Sequence, residues 1–296
     1  MTALVAGVAA VLVGLVVRAV LTHRAEARDA ARPRDADGVV QGAEGFVLER
    51  AGAPAVLLLH GAGDTPQTLR LLGERLHARG FAVVAPLLPG HGRSVRDFRH
   101  VSARAWQDAA MAAYDELRAR HAWVGVVGLS MGGALAARLA AARPDTPALV
   151  LLAPYLGLPR RLRVAAAFWR VAWLVSPYFS AEDSRSIRDP AAAALGLAYG
   201  VFTPAALRAL CLVSDDGAAA LPGIRTPTLI IQSRQDNRVS TAVAERSFDR
   251  LGSLEKRLEW VSEGGHVITV DYGRERVFVL TADWLISHGA GSLLRL

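Results

Sequence analysis

The sequence predicts an α/β protein. Its mostly parallel central sheet carries helices on both faces, with a helical cap inserted near the middle and a membrane helix at the amino terminus. Three observations carry that expectation. Short apolar, β-branched runs alternate with helix-forming runs from Gly45 to Ser287, the rhythm of a parallel sheet buried on both faces. The stretch from Pro154 to Pro222 breaks this rhythm and is too long for a structureless loop. Residues Ala3 to Val17 contain no charged side chain. The expected divisions are a membrane span over 1–21, a tether over 22–43, a core over 44–153 and 223–290, and a cap over 154–222.

Each element follows in order. As a helix, Ala3 to Leu21 is roughly 28 Å long, enough to cross the hydrocarbon layer with Arg18 snorkelling. No basic residue precedes this stretch and no small-residue cleavage site follows it, so it does not read as a secretory signal. Arg18, Arg24 and Arg28 follow it, and the positive-inside asymmetry places the rest of the chain on the cytoplasmic side. Thr22 to Gly42, rich in Arg, Asp, Ala and Gly, reads as a solvated tether. Val56–Leu59 reads as a buried strand. Asp64-Thr65-Pro66 opens a helix that ends before Gly80. A strand over Ala82–Ala85 and a helix from Ser102 to about Arg120 come next. Trp123–Val127 is a strand, Gly133–Ala141 a helix that stops before Pro144, and Leu149–Leu152 a strand. After the insertion come a strand at Pro227–Ile231, a helix from Ser240 to Leu251 and a strand at Arg257–Val261. The final helix runs from about Tyr272 to Ile286.

The chemistry begins at Gly128-Leu129-Ser130-Met131-Gly132. A serine between small residues, at a sharp strand-to-helix turn, is how a hydroxyl is raised above a sheet as a nucleophile. A serine hydroxyl is weakly nucleophilic at neutral pH, so it needs a general base and an acid to orient that base. Gln232 to Asn237 leaves the carboxyl end of one late strand, and Ser262 to His266 leaves the next. Asp236 and His266 therefore share the ligand-bearing edge of the sheet with Ser130. Their order, Ser then Asp then His, suits this arrangement. His60 and His91 also lie at strand ends and read as loop-shaping residues. His23, His77, His100, His121 and His288 read as solvated, and Asp271 follows His266 too closely to serve it.

Five motifs in order resemble the α/β-hydrolase superfamily, in its bacterial carboxylesterase and monoacylglycerol lipase-like branch. They are Val56 to Gly61, Pro86 to Gly92, Gly128 to Gly133, Gln232 to Val239, and Gly265 to Asp271. The resemblance implies the α/β-hydrolase fold and a serine hydrolase that cleaves carboxylic esters through an acyl-enzyme. It also implies an oxyanion hole, which the chemistry itself requires. Its expected donors are the backbone N–H groups of Ala62 and Met131. The same constellation serves acyltransferases, thioesterases and peptidases, because the triad sets the attack and not the leaving group. A non-catalytic, membrane-tethered binding module on the same fold is the alternative of another class.

No family signature marks the cap. Arg160 to Val175 carries much apolar bulk, with Val164, Phe168, Val171 and Val175 on one helical stripe and Arg163 and Arg170 on another. Such a helix packs on the core, lines an acyl pocket or touches lipid. Phe168, Trp169 and Trp173 are the candidate substrate-binding residues. The formal net charge is +7. The basic residues are scattered arginines beside a single lysine, Lys256, which argues against nucleic acid as a partner. The lone cysteine, Cys211, excludes an intrachain disulfide. No metal-ligand spacing appears, so neither metal nor cofactor is expected. The expected partners are an acyl ester or lipid substrate and the membrane.

Overall fold

The computed structural model describes residues 2–181 and 185–290; for residues 2–8, 10 and 11 only the helical backbone is described. In chain order the first half contains α1 (Thr2–Ala30), β1 (Phe46–Leu48), β2 (Ala55–Leu59), α2 (Arg70–Ala78), β3 (Ala82–Ala85), α3 (Ala103–Arg120), β4 (Val124–Leu129), α4 (Met131–Ala142) and β5 (Leu149–Leu152). The insertion supplies α5 (Arg160–Ala167), α6 (Trp169–Val175), β6 (Phe179–Ser180), α7 (Pro190–Ala194), β7 (Val201–Phe202) and α8 (Pro204–Ala220). The chain closes with β8 (Thr228–Ser233), α9 (Thr241–Arg250), β9 (Lys256–Val261) and α10 (Arg274–Leu285).

Seven strands pair in the order β1-β3-β2-β4-β5-β8-β9. Within this sheet only the β1–β3 pairing is antiparallel; β6 and β7 form a separate antiparallel pair. Every residue of β2, β4, β5 and β8 is buried, as expected of central parallel strands covered on both faces. Alternate residues serve opposite layers. Leu57 and Leu59 join Trp106, Tyr114 and Leu135 beneath α3 and α4, whereas Val56 and Leu58 join Leu72, Phe81 and Phe278 beneath α2 and α10. The Ser102 hydroxyl caps α3 by accepting the Ala105 N–H at 3.1 Å, satisfying one of the helix's orphan donors.

The stretch from Arg160 to Val175, read as one helix of the cap, is divided. It breaks at Phe168 (φ −96°, ψ 25°), which separates α5 from α6. The insertion's last helix, α8, puts Leu207, Leu210 and Val213 into the same core cluster as the sheet. That part of the insertion is a layer of the core.

The amino terminus also departs from expectation. Residues 22–43 are not a solvated tether: α1 continues to Ala30, and Val39, Val40 and Ala43 beyond it are buried. The reason is specific contact. Ala25 packs with Val95 and Tyr178, Glu26 accepts from Arg96 at 2.6 Å and from the Tyr178 hydroxyl at 3.0 Å, and Asp29 pairs with Arg34 at 2.8 Å. Among the described residues no helix is long and apolar enough to cross a membrane. Much of the apolar stretch from Ala3 lies outside the residues whose side chains are described.

Candidate active site

Ser130 joins β4 to α4 with φ 57° and ψ −116°, a strained conformation for a residue with a Cβ. Both flanking glycines are needed by contact. A Cβ at Gly128 would stand 2.1 Å from the Gly132 carbonyl oxygen, and one at Gly132 would stand 2.0 Å from the Leu59 carbonyl oxygen. Backbone bonds hold the strained turn. The Ser130 N–H donates to the Leu152 carbonyl at 2.9 Å, and the Ser130 carbonyl accepts from Gly133 at 3.0 Å and Tyr155 at 2.9 Å.

The loops after β8 and β9 bring the other two predicted side chains to this serine. His266 Nε2 lies 2.8 Å from Ser130 Oγ, and His266 Nδ1 lies 2.8 Å from Asp236 Oδ2. Asp236 Oδ2 also accepts from the Gln232 amide at 2.7 Å, while Oδ1 accepts the Arg238 and Val239 N–H groups at 2.7 and 2.9 Å. Burial pushes the Asp236 carboxyl up, but His266 and these donors outweigh it and hold the group below its ordinary value. An ionised, acceptor-only Asp236 makes Nδ1 of His266 the donor, which leaves the Nε2 lone pair facing the serine hydroxyl.

The two backbone donors expected for an oxyanion lie beside Ser130. A Cβ at Gly61 would be 3.4 Å from the Ser130 Cβ, so the loop that carries Ala62 lies directly against the serine. Met131 is the first residue of α4, and the N–H of that position has no acceptor within its own helix. Two buried histidines shape this loop. His60 accepts the Leu88 N–H on Nε2 at 3.0 Å and donates from Nδ1 to the Gly61 carbonyl at 2.9 Å. His91 Nε2 accepts the Gly63 N–H at 3.0 Å. Burial lowers His60 to about 4, and burial and then His60 hold His91 well below its ordinary value. Both stay neutral, as acceptance through Nε2 requires. His121, expected to be solvated, is instead buried and bonded to the Ala53 carbonyl, and the His288 ring packs against Trp284.

A cavity of about 890 Å³ opens above Ser130 and His266. Phe168, Trp169 and Trp173 do not line it. Phe168 is 63% and Trp173 41% exposed, with Arg18 stacked on the Trp173 ring and Arg170 on the Trp169 ring. The break at Phe168 accompanies this outward orientation. The aromatic lining comes instead from Tyr155, Tyr178, Phe179, Tyr199 and Phe202. Strands as short as β6 and β7 have no readable period, so only the position of Tyr155 just past β5 could have signalled this lining. Asp64 also borders the cavity, its carboxyl raised to about 6 by burial despite bonds from Thr68 and Thr65. Asp271 is fully buried and does not bond His266. It accepts the N–H groups of Gly265 (2.6 Å), Tyr272 (2.8 Å), Arg188 (2.8 Å) and Asp189 (2.9 Å), tying the His266 loop to the insertion.

The family model described as Hydrolase_4, serine aminopeptidase S33, matches residues 52–272. The chain belongs to this family. It is a lipase- and esterase-type α/β hydrolase. A thermostable monoacylglycerol lipase of Bacillus sp. (strain H-257) is 30% identical over 84% of this chain and 97% of its own length. A carboxylesterase of Bacillus subtilis (strain 168) is 27% identical over 79% of this chain and 96% of its own. Among solved structures, one described with LipS and LipT, two metagenome-derived lipolytic enzymes, superposes with a TM-score of 0.78 at 29% identity. It covers 84% of this chain and all of that one.

Proposed function

We propose that this hydrolase cleaves carboxylic esters through an acyl-enzyme, with Ser130 as nucleophile, His266 as general base and Asp236 as the acid that orients it. The observation that carries this reading is the unbroken chain of hydrogen bonds from Ser130 Oγ through His266 to Asp236 at the cavity. His266 Nε2 takes the hydroxyl proton as Oγ attacks the acyl carbon, and ionised Asp236 stabilises the imidazolium. The carbonyl oxygen becomes an oxyanion facing the N–H groups of Ala62 and Met131; loss of one such donor typically costs about 3 kcal/mol. His266 then gives its proton to the departing alcohol. Water, activated by the same imidazole, releases the acid and restores Ser130.

Monoacylglycerols and medium-chain acyl esters are the favoured substrates. One Bacillus relative is named a monoacylglycerol lipase and the other a carboxylesterase, and aromatic and aliphatic side chains border the cavity, as suits an acyl group. The exposed apolar side chains of Leu12, Val13, Leu15, Val16 and Val17 on α1 support contact of this segment with a lipid surface.

A fluorophosphonate probe is expected to label Ser130 in the wild type, and Ser130→Ala is expected to abolish labelling. Folded wild-type protein that stays unlabelled would refute the nucleophile. A chain-length series of p-nitrophenyl esters run beside a monoacylglycerol then tests the substrate. Labelling without ester turnover would instead point to acyl transfer, thioester cleavage or peptide cleavage by the same triad.

A further inference from the structure

One wall of the cavity lies outside the region that matches the family. That match begins at residue 52, yet Leu21, Arg24, Ala25 and Arg28 of α1 line the same cavity as Ser130 and His266. Successive turns of α1 are fastened in place. Arg18 donates to the carbonyls of Trp173 and Leu174, and Ala25 is buried between Val95 and Tyr178. Glu26 is held by Arg96 and Tyr178, and Asp29 accepts the Val95 N–H at 3.2 Å. Just past the helix, Arg32 donates to the carbonyls of Leu197 and Ala198 at 3.0 and 2.6 Å. Arg18, Ala25, Asp29 and Arg32 are seven, four and three residues apart in turn, so they share one face of the helix and that face is docked.

The docked face changes character along its length. Leu21 and Ala25 are the apolar residues of α1 in the cavity lining, which also holds Tyr178, Phe179, Val201 and Phe202, and Ala25 packs with Tyr178. Arg24, Arg28 and Asp29 of the same helix, with Arg32 just past it, also line the cavity. An acyl chain that extends from Ser130 to α1 thus meets apolar groups with charged ones alongside.

We propose that α1 is a specificity wall, in which Leu21 and Ala25 cover the distal part of the substrate's acyl chain and so set the chain length accepted. The inference rests on the ester-hydrolase reading. Each methylene that gains apolar cover improves kcat/KM about fourfold. Loss of cover for two methylenes therefore lowers it more than tenfold, whereas a chain too short to reach α1 gains nothing from the wall.

The test compares kcat/KM for p-nitrophenyl decanoate and p-nitrophenyl acetate in the full-length protein. Leu21→Trp, which fills the space beside the chain, is expected to lower the decanoate-to-acetate ratio at least tenfold, mainly through KM. Leu21→Ala, a truncation at a side chain already 43% exposed, is expected to lower it about threefold. Val20→Trp, on α1 but outside the cavity lining, is expected to leave it unchanged. An unchanged ratio in both Leu21 variants, or equal losses for the two esters, overturns the proposal. Wild-type protein that hydrolyses neither ester would defeat the hydrolase reading instead. In that case the Kd of dansyl-undecanoate decides the wall: at least a fivefold weakening in Leu21→Trp is expected, and an unchanged Kd overturns it.

Discussion

Asp236→Asn isolates the part of the site on which the proton-transfer argument depends. All four donors to Asp236 need an acceptor: two backbone N–H groups at Oδ1, and the Gln232 amide and His266 Nδ1 at Oδ2. An asparagine amide has one acceptor and one donor group, so neither orientation suits the pocket. With its NH2 toward His266, the imidazole must accept at Nδ1 and carry its proton on Nε2. The ring then points a donor at Ser130 Oγ and cannot act as base. The reverse orientation sets the NH2 against the Arg238 and Val239 N–H groups, where one unsatisfied buried donor costs about 1–3 kcal/mol. In serine proteases the corresponding change lowers kcat about 10⁴-fold, equivalent to about 5.5 kcal/mol of barrier. A drop of about 10³–10⁴ in kcat is expected, with KM within about threefold and a parallel loss of fluorophosphonate labelling rate. Steady-state kinetics on a soluble p-nitrophenyl ester measures the first, with the melting temperature as a check on folding. A folded variant that keeps more than a tenth of wild-type kcat would refute the assignment. The Asp64→Asn, Asp236→Asn double variant would then ask whether Asp64 had taken over.

Three further outcomes are expected. Asp64 ionises in the folded protein near 6, above its ordinary 3.8, while His60 protonates near 4, below its ordinary 6.5. Asp64 therefore costs stability as pH rises from about 4 to 6, and His60 costs stability as pH falls from about 6.5 to 4, each by about 3 kcal/mol. Asp64→Asn removes the opposing slope: urea denaturation between pH 4 and 8 should find the variant more stable above pH 6 and falling more steeply below it. Stability curves parallel to wild type would refute this balance. Gly132→Ala, whose Cβ would meet the Leu59 carbonyl at 2.0 Å, should cost about 3 kcal/mol or prevent folding, read as the melting temperature or the soluble yield. Met131→Ala keeps the backbone N–H, so kcat should stay within about threefold. Loss of its fully buried side chain should still cost about 2–5 kcal/mol in denaturant; a large fall in kcat without a change in stability would contradict the main-chain role.

The elements that could be read from sequence share one property. β2, β3, β4, β5, β8 and β9 pair in parallel; the first five read as apolar runs between turn residues, and β9, at the sheet edge, as an alternation of charged and apolar residues. Ser130, Asp236 and His266 were legible because each follows such a strand. β1, with three residues, and β6 and β7, with two each, are too short to display a period. Asp271 was set aside because its distance from His266 along the chain was too small for a direct bond. Its actual partners, the N–H groups of Gly265, Arg188 and Asp189, are backbone groups that no side-chain pattern reports.

Residue type and spacing by themselves determined the sheet, the serine turn and the order of the candidate site residues, because burial on both faces and a turn with no room for Cβ atoms restrict composition locally. Direction and contact came only with the tertiary structure. The apolar bulk of Phe168, Trp169 and Trp173 was evident in the chain, but the break at Phe168 accompanies their outward placement. Likewise, α1 from Thr22 onward reads as a polar, solvated tether until Ala25, Glu26 and Asp29 meet partners far away in sequence. Hydrophobicity records that a side chain seeks cover, and only the packed fold decides which surface provides it.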